Sequence, residues 1–196
     1  MLEADRLADA LTTLPVLSYN RNVFRAVELE ALQSINPMQP LFDLGPCRRG
    51  QRYTPPGGPP ALYVSEDPAT SYFEGTGMFA AVAALAHQNA PATVIFNIVA
   101  TLENILDITT EVTQQRLQTN IIELTSSWKW QMAMGSSVPT HILANVAYAT
   151  GRFQAIRFPS ARRDAEPNLV IWTDKLVEPF FVEVNDHRYS QRIPPA

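Results

Sequence analysis

Between Arg48 and Glu74 the chain gathers three kinds of side chain that could act on one ligand. Arg48, Arg49 and Arg52 supply guanidinium groups, Tyr53 and Tyr63 aromatic faces, and Glu74 a single carboxylate. A guanidinium fork suits a phosphate, an aromatic face a flat base, and a fixed carboxylate a cation that develops during reaction. The plainer reading is a proline-rich surface loop with solvated arginines and a tyrosine packed at a strand edge. On composition alone that plainer reading is preferred. Other chemistry is not advertised: the sequence has no GxSxG elbow, Walker loop, HExxH or strand-linked GxGxxG. His87, His141 and His187 lie far apart without metal-ligand spacing and are expected to be surface or helix-end residues. Cys47 is the single cysteine, which excludes an intramolecular disulfide and a cysteine-based zinc site. No metal is expected.

The elements that must position these residues can be read locally. Leu2, Leu7, Ala10, Leu11 and Leu14 recur at helical spacing, and Pro15 stops that helix. Val23 to Val27 reads as a short strand with Arg25 on its polar face. From Asn36 to Pro60 the chain is rich in proline and glycine and has little periodicity, the mark of a functional or disordered segment. Ala61 to Ser65 reads as a strand. Asp67 then stands as a helix cap with Pro68 at the first helical position. Gly75 and Gly77 weaken that helix before the Ala-rich run from Phe79 to His87, so two helices are an open alternative to one.

Further strands are expected at Thr93–Val99, continued or followed by Thr101–Ile108, and at Gln154–Ser160, Leu169–Trp172 and Phe180–Val184. Helices are expected after Thr109 or Thr110 and from Pro139 to Thr150, the latter ended by Gly151. Trp128 and Trp130 read as core or rim aromatics. The expected fold is α+β: one domain around a mixed, twisted sheet flanked by helices. Residues 1–22 form a helical extension to a domain spanning 23–196.

The 196 residues, 46% apolar and 17% charged, describe a globular chain with enough length for a real core. A net charge of -4 argues against a broad surface for nucleic acid or anionic membrane. The N-terminus lacks the basic start and apolar run of a signal peptide, and the most apolar stretch is too short to span a bilayer. A cytoplasmic protein is expected.

The run Gly50-Gln51-Arg52-Tyr53-Thr54-Pro55-Pro56-Gly57, then Ala61 to Thr70 and Glu74, resembles the first half of the RES domain family. Gly151 to Arg162, followed by Asn168-Leu169-Val170-Ile171-Trp172, resembles its second half. The resemblance runs from about Phe24 to Leu176, most of the chain. It implies a fold like that of ADP-ribosyltransferase toxins and an activity that consumes NAD as substrate, with no separate cofactor. Position by position it makes Arg52, Glu74 and Ser160 the catalytic set and places Tyr53 and Tyr63 in the NAD pocket. Arg25 is a secondary candidate for phosphate contact.

RES proteins are toxins of toxin–antitoxin pairs, so the resemblance also implies a small Xre-like helix-turn-helix antitoxin as partner. A homodimer is left open. The implied reaction breaks the nicotinamide–ribose bond, with water, phosphate or a protein side chain as acceptor. One carboxylate suffices, because nicotinamide leaves as a neutral base without a proton from a general acid. Ser160 would bond the carboxamide or orient Glu74. A non-catalytic module that senses NAD, or a related nucleotide, fits the same residues.

Overall fold

The computed structural model describes residues 1–34, 38–85, 91–163, 166–189 and 191–195, with residues 77–85 as backbone. Asn36, Pro37 and His87, on which expectations were placed, lie outside the described residues. Helix α1 (Ala4–Thr13) buries Leu7 and Leu11, each worth roughly 1.5–3 kcal/mol of transfer free energy. The chain turns extended at Leu14, just before Pro15. Arg152 donates to the carbonyls of Leu11 and Leu14, satisfying acceptors that the helix end leaves open.

Strand β1 (Leu17–Glu28) is much longer than its apolar portion, Val23 to Val27, suggests. Its first half is largely exposed and is held by pairing with β3 (Thr93–Asp107), not by burial. Helices α2 (Leu29–Gln33) and α3 (Leu44–Arg49) follow, so the proline-rich stretch is partly helical. Next come β2 (Ala61–Ser65) and α4 (Pro68–Leu85), a single helix that runs through Gly75. Gly75 suits the close packing there: a Cβ would meet the Cβ and carbonyl oxygen of Ala26 on β1 at 3.0 Å, tighter than side chains ordinarily approach. Close helix–strand approach therefore outweighs the helix penalty of glycine.

After β3 the chain makes α5 (Glu111–Arg116), α6 (Ile121–Thr125), α7 (Trp128–Ala133) and α8 (Pro139–Ala149). Thr110, Asn120 and Ser127 cap the first three with side-chain oxygens, and Gly151 ends the last with φ +65°. Strands β4 (Ala155–Pro159), β5 (Pro167–Trp172), β6 (Phe181–Val184) and β7 (Arg192–Ile193) complete the chain.

All seven strands form one mixed sheet in the order β1-β2-β5-β4-β3-β6-β7, parallel at β3–β4 and antiparallel elsewhere. β1 also pairs with β3, and Phe24 of β1 lies opposite Ser65 of β2, so five strands pair in a ring. One face carries Leu62, Val64, Ile98, Leu169 and Ile171. The other carries Tyr63, Ile156, Phe158, Val170 and Trp172, packed with α1 and α8. At Asn104, with φ +56°, an extra residue interrupts the β1–β3 register. Parity then switches, sending Ile105 to the first face and Leu106 to the second. Gln154 satisfies this irregularity: its side-chain carbonyl accepts from Glu103 N at 2.8 Å and its backbone N–H donates to Asn104 O at 3.3 Å.

The expected α+β architecture is therefore present, with mixed sheet and flanking helices. The 22/23 division falls inside β1, and α1 shares the core of the remaining chain through Leu7, Leu11 and Leu14. Among the described residues no helix is long and apolar enough to cross a membrane.

Candidate active site

Glu74 sits two turns into α4, and the start of that helix is clamped. Asp67 Oδ2 accepts from Thr70 N at 2.7 Å and Thr70 Oγ1 at 2.9 Å, and it pairs with Arg163. The Thr70 amide, helped by its hydroxyl and Arg163, holds the Asp67 carboxyl below the usual range. Arg163 belongs to the turn after β4 that also carries Ser160. The ion pair thus links the Glu74 helix to the Ser160 turn.

The two side chains meet directly. Ser160, 5% exposed, donates from Oγ to Glu74 Oε1 at 2.6 Å. Its oxygen accepts from the amides of Arg162 at 3.0 Å and Arg163 at 3.1 Å. A serine hydroxyl has one proton and two lone pairs, so all its capacity is used. That geometry favours orienting Glu74 over bonding a ligand carboxamide.

Arg52 lies in a tight turn in which Gln51 and Thr54 exchange backbone bonds of 2.7 and 3.1 Å. The turn is held from three sides. Tyr63 Oη accepts from Tyr53 N at 3.0 Å and lies 2.9 Å from Thr54 Oγ1. Thr140 donates to Arg52 O at 2.6 Å, and His141 Nε2 donates to Gln51 O at 2.8 Å. His141, in the first turn of α8, is thus a buried structural donor: of the expected surface or helix-end placements it takes the second. Burial lowers its pKa, against the pull of the Gln51 bond.

The Arg52 guanidinium does two things. Its Nη1 donates to the carbonyls of Leu124, at 3.1 Å, and Ser126, at 2.5 Å, at the end of α6. Nε and Nη2 make no hydrogen bond among the described residues and are not buried orphans, so they remain available to a ligand anion. Burial lowers the Arg52 pKa; the nearby Glu74 carboxylate works against that and Arg162 with it. The exposed Arg162 therefore adds a second positive charge to the Glu74 neighbourhood.

Arg52, Glu74, Ser160 and Tyr63 are assembled on one face of the sheet. Tyr53 and Arg25 are placed otherwise. Tyr53 is 1% exposed, its ring centroid 4.4 Å from that of Phe158. It packs beneath the site and offers no face for stacking a ligand ring. Tyr63 is half-buried and edge-on to Phe158.

Arg25 does not reach the site. Phe24 lies opposite Ser65 and Ala26 lies against Gly75, so strand alternation turns Arg25 to the opposite face. There it donates to Phe42 O at 2.8 Å, and burial, opposed by Asp43, takes its pKa down to about 10. The expected phosphate contact from Arg25 is thereby corrected. Arg157 is taken up by the protein itself, pairing with Glu66 at 2.7 Å and Asp107 at 3.0 Å.

Sequence reasoning missed Asn168 and Ser65. Asn168, 3% exposed, donates from Nδ2 to Glu74 Oε1 at 3.1 Å and accepts from Ser65 Oγ at 2.6 Å. The available signal was parity: Ser65 is two residues from Tyr63, and Asn168 two from the buried Val170. Among the described residues no cluster of His, Cys, Asp and Glu could hold a metal ion.

Comparison with curated protein sequences gave no match. Among solved structures, the fold is similar to a chain of the M. tuberculosis MbcT-MbcA toxin-antitoxin complex, with a TM-score of 0.66 and 17% identity. That likeness covers 93% of this chain and 90% of the other. The family model of the RES domain matches residues 22–190, a span that holds every residue of the site just described. The chain belongs to the RES domain family.

Proposed function

We propose that this protein cleaves the nicotinamide–ribose bond of NAD and acts as the toxin of a toxin–antitoxin pair. The observation that carries the reading is the single carboxylate of Glu74, fixed by Ser160 and Asn168 beside the Arg52 guanidinium. Departure of neutral nicotinamide leaves positive charge on the ribose. A preorganised carboxylate stabilises that charge without reorganising at the moment of reaction. Free donors on Arg52, with Arg162 beside it, suit the pyrophosphate. Tyr63 supplies the flat surface for the nicotinamide ring.

The acceptor is water, phosphate or a protein side chain, and product analysis separates the three. NAD is the substrate in this reading, and no other cofactor takes part. The structural neighbour comes from a toxin–antitoxin complex, which supports a partner here too. We assign that role to a helix-turn-helix antitoxin of Xre type that covers the pocket near Arg52, in the cytoplasm.

The test is nicotinamide release from NAD by purified protein, with and without phosphate. Glu74→Ala should slow release about hundred- to thousandfold, the usual cost of losing one aimed electrostatic group. Wild type and Glu74→Ala that are equally inert would overturn the enzyme reading. Tight NAD binding without turnover would move the protein to the class of nucleotide sensors.

A further inference from the structure

We infer that Asn168 is a positioning residue for Glu74, and that together with Ser160 it commits Oε1 so that Oε2 is the oxygen turned to the ribose. The inference rests on the NAD reading above and adds to it which group aims the carboxylate.

Asn168 stands in the middle of the sheet, paired with Ser65 of β2 on one side and Phe158 of β4 on the other. Its backbone is therefore fixed by two neighbouring strands, and its side chain is 3% exposed. The amide has one orientation that satisfies both neighbours. An ionised carboxylate only accepts, so Nδ2 must face Glu74 and Oδ1 must take the Ser65 proton. The distances agree: 3.1 Å from Nδ2 to Oε1 and 2.6 Å from Ser65 Oγ to Oδ1.

Ser160 brings its only proton to the same Oε1, at 2.6 Å. Among the described residues no hydrogen bond ends on Oε2. Glu74 is exposed and reaches out from a helix on three rotatable bonds, so without these donors its carboxylate would sample several rotamers. A chain from Ser65 through Asn168 to Glu74 carries the rigidity of the sheet to a mobile side chain. A sheet-borne amide is a stiffer support than the turn that carries Ser160.

The experiment measures kcat and KM for nicotinamide release by wild type, Asn168→Ala, Asn168→Asp, Glu74→Ala and the Glu74→Ala/Asn168→Ala double variant. A misaimed reacting group costs about 10- to 100-fold, so Asn168→Ala should lower kcat by that factor with KM changed less than about threefold. Asn168→Asp, of the same shape without the donor, should fall at least as far. In the Glu74→Ala background, Asn168→Ala should change the residual rate by less than about twofold, because its effect passes through Glu74. A residue with a merely structural role would lower both backgrounds alike. An equal loss in both, or an Asn168→Ala rate within about twofold of wild type, overturns the inference.

A wild type that releases no nicotinamide removes the NAD reading alone. Positioning is then decided by a crystal structure of Asn168→Ala, as it is if Glu74→Ala falls below detection. Glu74 in a changed rotamer supports the inference, and an unmoved carboxylate overturns it.

Discussion

Arg52→Ala should weaken the fold as well as the pocket, because the guanidinium holds protein with one nitrogen and faces ligand with the others. Nη1 donates to Leu124 O and Ser126 O, acceptors at the negative end of α6. A hydrogen bond from a charged donor contributes about 1.5–3 kcal/mol. Part of this is recovered when water reaches the released carbonyls, so the pair together should cost about 2–4 kcal/mol. For a chain of this size each kcal/mol moves the midpoint by roughly 2–4 °C, so the expected fall is about 4–16 °C.

The assay is thermal unfolding followed by circular dichroism, on wild type, Arg52→Ala and Arg52→Lys, without NAD. Lysine keeps the charge but lacks the planar fork, so it should recover only part of the loss. Thermal unfolding of Arg52→Ala within about 1 °C of wild type would refute the double role assigned to Arg52. If the loss is seen, the activity of Arg52→Ala cannot be read as a lost phosphate contact alone. Arg52→Lys then becomes the cleaner probe of NAD binding.

Three further outcomes follow from the same geometry. Ser160→Ala should lower kcat for nicotinamide release about 10- to 100-fold with little change in KM, because the hydroxyl is spent on Glu74; a raised KM at unchanged kcat would show that it binds substrate instead. Tyr53→Phe should leave the thermal midpoint unchanged or raise it, since the Tyr53 hydroxyl is buried without a partner; a clear fall in midpoint would contradict this. His141 has a folded pKa below its unfolded value, so its stabilising contribution is full above about pH 6.5 and is lost as pH falls from there. Urea unfolding at pH 7.5 and 5.5 should show that decline, reduced in His141→Gln, and an identical pH dependence in the variant would refute it.

Local chemistry explains why so much was readable. Asp67 before Pro68, Thr110 before a polar run and Gly151 after an apolar one act within a few residues, so the chain declares its helix ends directly. Leucines at helical spacing likewise declare α1. The trio Arg52, Glu74 and Ser160 was visible because the resemblance is ordered along the chain, and the RES domain match spans the same residues. Composition and spacing alone did not single out these three from other arginines, carboxylates and serines.

Non-local facts had no such signal. The exposed first half of β1 is a strand only because β3 offers it hydrogen bonds more than 75 residues later, as at Asn20 opposite Thr101. Gly75 weakens an isolated helix, yet α4 passes through it where Ala26 packs so closely that a Cβ would sit 3.0 Å from it. Arg25 and Asn168 show the same division most clearly. Arg25 has the right charge for a phosphate, but one step of strand parity puts it on the wrong side of the sheet. Asn168 looks like an ordinary polar residue at a strand start until pairing sets it between Ser65 and Glu74. Residue types, caps and turn glycines thus determine which local pieces form and which chemistry is on offer. Which side chains share a face, and therefore which of them act together, depends on strand register between segments far apart in sequence.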